Sequence, residues 1–226
     1  MTRYVRGALA AAMVIAVAAC TGESEPEPLS LDRDDAGQVE DPEEPVSPPD
    51  DDQGPGDDWL PPEDVQALYA SLPPLEPDPD SPVDEATQRE VLAAHERLYH
   101  VTQSAYATAA ADEQAVTSVM TDELARAFMQ EVASYAEQGH VNRTEGTDVR
   151  WVRVIEEEEG EVVVRECSIV PPETGRFDVA SGERVDDVRE RPVPVLLEAR
   201  YHAVETAVGW RATSVQSVDF SGVCDV

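Results

Sequence analysis

The sequence predicts an α+β domain in which N-terminal helices pack on a four-stranded antiparallel sheet, preceded by a disordered acidic tether. Apolar residues recur at helical spacing from residue 82 to Gly139, and the period then changes to two between residues 149 and 220. Ahead of them, the segment from Thr21 to Pro82 holds 14 of the 18 prolines. The chain of 226 residues accordingly divides into three segments: a signal peptide (1–19), a tether (20–81) and a domain (82–226).

The first twenty residues have the layout of a bacterial export signal. Arg3 and Arg6 give a positive start, and the apolar run from Ala8 to Ala19 is shorter than the roughly 20 residues that a membrane-spanning helix needs. Small apolar residues lead into Cys20, as in the bacterial lipobox, whose cysteine takes a diacylglycerol. The resemblance implies a lipid anchor on Cys20 that holds the protein on the extracytoplasmic face of the cell membrane. A plain secretory signal cut after Ala19 is the alternative.

The tether is strongly acidic. From Thr21 to Pro82 it carries 20 Asp and Glu residues against Arg33 alone, and few large apolar side chains. Like charges repel and little apolar surface can be buried, so extended disorder is expected. The formal net charge of the chain is -32, and all 16 of its basic residues are arginine. Nucleic acid is therefore excluded as a partner, since binding phosphates needs a basic face.

One stretch of the tether has helical spacing. Residues 63–72 place Val65, Leu68 and Leu72 on one face, just after Trp59. This short helix either rests on the surface of the domain or forms transiently. In the other interpretation Trp59, Leu68 and Leu72 form a docking motif for an envelope protein.

No metal site or cofactor is expected. Residues 32–43 partly match an EF-hand loop, yet Ala36 removes a ligand, Pro42 stiffens the exit, and no helices flank the loop. His95 and His100 are five residues apart, which does not place them on one helix face as a zinc pair requires.

The first half of the domain reads as helical. Ser81 is expected to cap the first helix, with Pro82 at its first position. We expect three helices: about 82–110, 112–120, and one that Thr121 caps and Gly139 ends.

The second half reads as a meander. A run of glutamates at 156–159, followed by Gly160, predicts a hairpin, and residues 171–185 are rich in turn signals. We expect four strands: Val149–Ile155, Glu161–Val170, Arg191–Thr206 and Gly209–Phe220.

This arrangement resembles the nuclear-transport-factor-2-like (cystatin-like cone) superfamily, and more narrowly the actinobacterial secreted lipoproteins that carry such a domain. The likeness rests on five features: the helix 82–110, the strand around Val163–Cys167, the loop from Thr174 to Glu183, the run Gly209–Ala212, and Cys224. It implies a curved sheet wrapped on the long helix, with a pocket at its wide end. In enzyme members an acid or tyrosine in that pocket transfers protons, whereas many exported members serve in binding or assembly.

With Cys20 lipidated, Cys167 and Cys224 remain, and outside the cytoplasm such a pair is expected to form a disulfide. The bond would close a loop of 57 residues and contribute about 4 kcal/mol on a loop-entropy estimate. A redox role would favour a Cys-x-x-Cys arrangement, which is absent.

The sequence points to no catalytic residue with force, since it contains neither a Gly-x-Ser-x-Gly motif nor a phosphate loop. For proton transfer the leading candidates are Glu198 and Tyr201, followed by His202 and Tyr106. Strand alternation places Glu198, Arg200 and His202 on one face, so an ordinary surface ion pair of Glu198 with Arg200 is the competing interpretation.

These features favour a membrane-anchored lipoprotein with a non-enzymatic binding or assembly role in the cell envelope. Its partner beyond the membrane would be an envelope protein or a small apolar ligand. The alternative is a small-pocket enzyme of isomerase-like or hydrolase-like type on the same fold. A third possibility is a tethered structural module that touches the cell wall.

Overall fold

The computed structural model describes residues 59–204, 209–218 and Cys224. The predicted signal peptide, the lipidation site at Cys20 and the EF-hand-like segment 32–43 lie outside these residues. Within the described part of the chain, no helix combines the length and the apolar character that crossing a membrane requires.

The described chain is α+β, with helices followed by a four-stranded antiparallel sheet, as predicted. The helices are α1 (Glu63–Gln66), α2 (Glu85–Thr108), α3 (Glu113–Val119) and α4 (Asp122–Glu137). The strands are β1 (His140–Arg143), β2 (Asp148–Glu158), β3 (Glu161–Val170), β4 (Gly175–Asp178), β5 (Val193–Ala203) and β6 (Trp210–Val218).

The cap of α2 differs from the prediction. Asp84 is the N-cap, and its carboxylate accepts hydrogen bonds from the backbone N–H groups of Ala86 and Thr87. Ser81 instead donates its hydroxyl to the backbone carbonyl of Val154, at 2.9 Å. The cap prediction at Ser81 was therefore wrong by one turn, because the carboxylate of Asp84 satisfies two of the free N–H groups of the helix.

The main sheet has the strand order β2-β3-β5-β6, with antiparallel pairing throughout. Strands β1 and β4 form a separate two-stranded sheet, which the sequence analysis missed because each has only four residues. Register shifts occur in β2 near Trp151 and Ile155, and opposite Tyr201 on β6. Such irregularities add local twist and bend a strand.

The core lies between the inner face of this sheet and helices α2, α3 and α4. On β3 the alternation places Val162 and Val164 inside, against Val91 and Leu98 of α2 in the same apolar cluster. The opposite, outer face carries a smaller cluster around Cys167. Each face of the sheet therefore has its own apolar contacts.

The predicted disulfide is present. Cys167 on β3 is bonded to Cys224, with the Cα atoms 5.6 Å apart, and both cysteines are buried. Leu196 packs beside them, with Ile169 and Val218 at the margin. The bond thus ties the C-terminal end of the chain to the outer face of the sheet.

The ordered chain begins before residue 82, the predicted domain boundary. Tyr69 and Ala70 are buried, and the Tyr99 hydroxyl donates to the carbonyl of Ala70 at 2.8 Å. Tyr69 Oη also lies 2.8 Å from His100 Nδ1. Residues 59–81 therefore belong to the folded unit, because their apolar side chains cover a second stripe of α2 that the sheet does not reach.

Candidate functional site

A cavity of about 540 Å³ lies between α2 and α4 and the inner face of β3, β5 and β6; we call it the interlayer cavity. Its volume falls within the range of about 300–1,000 Å³ that is typical of small-molecule sites. Most of its wall is apolar, and this part is formed chiefly by Leu98, Met120, Leu124, Phe128, Leu197 and Val215.

Two buried ionisable side chains, His95 and Glu166, line this cavity. They are only 5% and 4% exposed. His95 lies on the apolar stripe of α2, one turn after Val91, and Glu166 continues the inward-facing row of Val162 and Val164 on β3. Helix periodicity and strand alternation thus bring an imidazole and a carboxylate to the same end of the core.

The imidazole of His95 is held by a tyrosine. Its Nδ1 lies 2.8 Å from the hydroxyl oxygen of Tyr201, which is fully buried on β5. Burial raises the pKa of Tyr201, and the nearby charge of Glu166 raises it further. The hydroxyl therefore keeps its proton, and it can donate to Nδ1 in the tautomer of His95 that carries its hydrogen on Nε2.

Nε2 faces the carboxylate. His95 Nε2 lies 3.4 Å from Glu166 Oε2, and it makes no hydrogen bond with any residue that the structure describes. The other carboxylate oxygen, Oε1, accepts a hydrogen bond of 3.0 Å from Ser168 Oγ. Tyr201, His95 and Glu166 thus form a row of successive polar contacts at the inner end of the cavity. Glu166 Oε2, at the end of this row, can accept a hydrogen bond from a further donor.

Two tyrosines of α2, Tyr99 and Tyr106, also line the cavity, and the hydroxyl of Tyr99 donates to the Ala70 carbonyl. Burial is the main cause that raises the pKa of Tyr99, and the charge of Glu166 is the next largest. Burial is the main cause that raises the pKa of Tyr106, and the charge of Glu131 is the next largest. Both phenols are therefore neutral at physiological pH.

The four residues proposed from the sequence for proton transfer fall in different places. Glu198 and His202 lie on the outer face of β5, and the Glu198 carboxylate is held by Arg165 at 3.0 Å and by Arg200 at 3.3 Å. Tyr106 lines the interlayer cavity, and Tyr201 reaches it through His95. Glu198 therefore belongs to an ion-pair network and not to the cavity.

Sequence reasoning missed Glu166 and assigned His95 no role. A signal for each was present. Glu166 follows Val162 and Val164 at a spacing of two, on the inner face of a strand, and His95 interrupts the apolar stripe of a long helix. A polar group in a buried row needs a partner, but β3 is apolar on both faces, so the pattern alone does not say which face Glu166 occupies.

The proposed docking residues lie partly buried within the chain. Trp59 packs against the main core, Leu68 against the cluster of Tyr69 and Tyr99, and Leu72 against both. The structure therefore brings them into contact with the domain's own surface, which is the other interpretation offered for this segment.

A second cavity, of about 490 Å³, lies beside the small sheet formed by β1 and β4. Arg143, Glu145 and Asp178 are among its lining residues, so it holds charges of both signs. Arg143 Nε is buried and makes no hydrogen bond with the described residues. Its lining is more polar than that of the interlayer cavity and includes neither His95 nor Glu166.

Comparison with known proteins gives little guidance. No family model and no curated protein matches the chain. Among solved structures, it is similar to the intermembrane space region of the chloroplast protein ARC6, with 13% identity and a TM-score of 0.39. That match covers 57% of this chain and 95% of the other. A likeness of this size carries no functional inference.

Proposed function

We propose that this protein is a lipid-anchored, extracytoplasmic lipoprotein whose domain binds a small apolar ligand in the interlayer cavity. The observation that carries the proposal is the cavity itself, which has a mainly apolar wall and a few convergent polar groups at one end. The position of the cavity between a long helix and a four-stranded antiparallel sheet is also what the proposed kinship with nuclear-transport-factor-2-like proteins implies.

The anchor rests on the sequence before Cys20 and on the chemistry of the other two cysteines. Cys167 and Cys224 form a buried disulfide, and disulfides persist mainly in oxidising compartments. Metabolic labelling with an alkyne fatty acid tests the anchor. The label is expected on the full-length chain and is expected to disappear in Cys20→Ser. Equal labelling of both chains would contradict the assignment.

Native mass spectrometry of residues 21–226, exported so that the disulfide can form, tests ligand binding. A retained small molecule of discrete mass is expected in the folded protein. Ala127 lines the cavity but is exposed, so Ala127→Trp should block the cavity and abolish retention without disturbing the core.

Ala133→Trp is the matched control, because Ala133 is also exposed on α4 but does not line the cavity. Retention should persist in this variant. If both variants lose the molecule, or both keep it, the molecule is not in the interlayer cavity.

A second candidate function, proton-transfer catalysis, is favoured by the buried pair of His95 and Glu166. A carboxylate beside an imidazole in an apolar cavity is an arrangement that can remove a proton from carbon and return it. The role of general base is assigned to Glu166 and that of hydrogen-bond donor to His95.

Kemp elimination of 5-nitrobenzisoxazole tests the second candidate, because this reaction reports a base in an apolar pocket. A rate above that of free carboxylate is expected, with loss in Glu166→Gln and no loss in Glu198→Gln. If the wild-type protein is no faster than free carboxylate, the catalytic candidate is contradicted and the binding role remains.

A further inference from the structure

The charges around the interlayer cavity are one-sided. Glu166 lies at its inner end, and Glu131 adds an exposed carboxylate to its lining. No arginine lines the described cavity, and the chain has no lysine, so His95 is its sole basic side chain. A ligand with a carboxylate or phosphate would therefore find negative groups and no strong cation.

The carboxylate of Glu166 is incompletely satisfied. Ser168 Oγ donates to Oε1, whereas the one contact of Oε2 among the described residues is Nε2 of His95, at 3.4 Å. Arg165 and Arg200 point to the outer face and hold Glu198. Arg97 of α2 acts on Tyr201 through its charge but does not line the cavity. A buried carboxylate without a close cation is costly, so a cationic donor from a ligand would stabilise it.

We propose that the ligand of the interlayer cavity is an apolar molecule that carries a protonated amine, with the ammonium bound at Glu166 Oε2. This rests on the proposed binding function and specifies its ligand class. An ammonium group supplies three donors and a positive charge. The aromatic rings of Tyr99, Tyr106 and Phe128 along the wall suit a cation with an apolar body.

The field of the whole domain acts in the same direction. Residues 83–226 carry a net charge of about −15, and the entire chain is at -32. A negative surface raises the local concentration of cationic ligands and lowers that of anionic ones.

Isothermal titration of residues 21–226 with three probes of equal shape tests the inference: 1-adamantylamine, 1-adamantanol and 1-adamantanecarboxylate. The amine is expected to bind about tenfold more tightly than the alcohol, since the positive charge of the ammonium adds its attraction to the carboxylate to a hydrogen bond that the alcohol can also make. The carboxylate should bind most weakly. Equal affinity for amine and alcohol would overturn the proposal.

Glu166→Gln should remove the preference for the amine, because both probes then meet a neutral amide in place of a carboxylate. Glu198→Gln is the matched control, because Glu198 is an equally buried carboxylate of the same sheet that faces away from the cavity. Persistence of the amine preference in Glu166→Gln would assign the cation to another site. The comparison of probes on the wild-type chain decides the matter even if Glu166→Gln does not fold.

The outcomes separate this inference from the proposed function. Binding of the alcohol without preference for the amine refutes the ligand class alone. Absence of binding by all three probes, together with no retained molecule in native mass spectrometry, refutes both.

Discussion

Tyr201 Oη lies 2.8 Å from Nδ1 of His95, and this contact joins the third strand of the main sheet to the long helix α2 across the buried core. The two residues are 106 positions apart in sequence. Since the ring of Tyr201 is fully buried, no water can replace a lost partner without entering the core.

Tyr201→Phe should therefore lower the free energy of unfolding by about 1–3 kcal/mol, because Nδ1 of a buried imidazole loses its partner. Urea denaturation measures the change. Tyr135→Phe, at a tyrosine that is only partly buried on α4, should cost less. Equal losses in the two variants would contradict the assigned role of the Tyr201 hydroxyl.

Removal of the disulfide should destabilise the domain without unfolding its helices. The double variant Cys167→Ala, Cys224→Ala frees a loop of 57 residues, and on the loop-entropy estimate the free energy of unfolding should fall by about 4 kcal/mol. Urea denaturation with and without a reducing agent measures this on the wild-type chain, and reduction should not affect the double variant. An unchanged stability after full reduction would mean that the bond contributes nothing.

The cap of α2 should make stability depend on acid. The Thr87 hydroxyl donates a hydrogen bond to the Asp84 carboxylate, and this is the main cause that lowers the pKa of Asp84 below its ordinary value. The backbone N–H of Thr87 makes the next largest contribution. A depressed pKa in the folded state means that the stabilisation is complete above the unfolded pKa of about 3.9. It is lost as the pH falls through the folded pKa.

Asp84→Ala should consequently lower the melting temperature at pH 7, and the difference from wild type should shrink as the pH approaches 2. Asp84→Asn keeps a capping oxygen but does not titrate. At pH 7 its melting temperature should therefore lie between those of the wild type and Asp84→Ala. A difference between wild type and Asp84→Ala that is the same at both pH values would contradict this account.

A chain that begins at residue 82 should be less stable than one that begins at residue 59. The shorter chain removes the carbonyl of Ala70, which accepts from the buried Tyr99 hydroxyl, and it uncovers the apolar stripe of α2. Thermal melting of both chains checks this, with Leu60→Ala in the longer one as a control at an exposed side chain. Equal melting temperatures would place residues 59–81 outside the folded unit.

The regular elements could be predicted from the sequence because each has a long, unbroken period. The helix at 85–108 and the four strands of the main sheet follow directly from apolar spacing. Strands β1 and β4 could not be found this way, since four residues give too little pattern, and their pairing is long-range. The disulfide could be predicted because no other cysteines remained in the domain.

The site was harder to predict than the fold. Glu198 and Glu166 are both glutamates on neighbouring strands, and each lies among apolar residues. Which of them faces the helices depends on the pairing register, which places Arg165 opposite Glu198 and Leu197 opposite Glu166. The packing of residues 59–81 could not be predicted either. A Pro-rich acidic composition predicts disorder, and composition does not show that the few apolar side chains of this segment pack against α2.

Methyl NMR tests the central claim, that the interlayer cavity takes a ligand, most directly. After residue 20 the chain has only two methionines, Met120, which lines the cavity, and Met129, which packs against the core without lining it. With ¹³C-labelled methionine, addition of 1-adamantylamine should shift the Met120 methyl signal and leave that of Met129 almost unchanged. A Met120 signal that stays in place at saturating probe, or equal shifts of both signals, would contradict binding in this cavity.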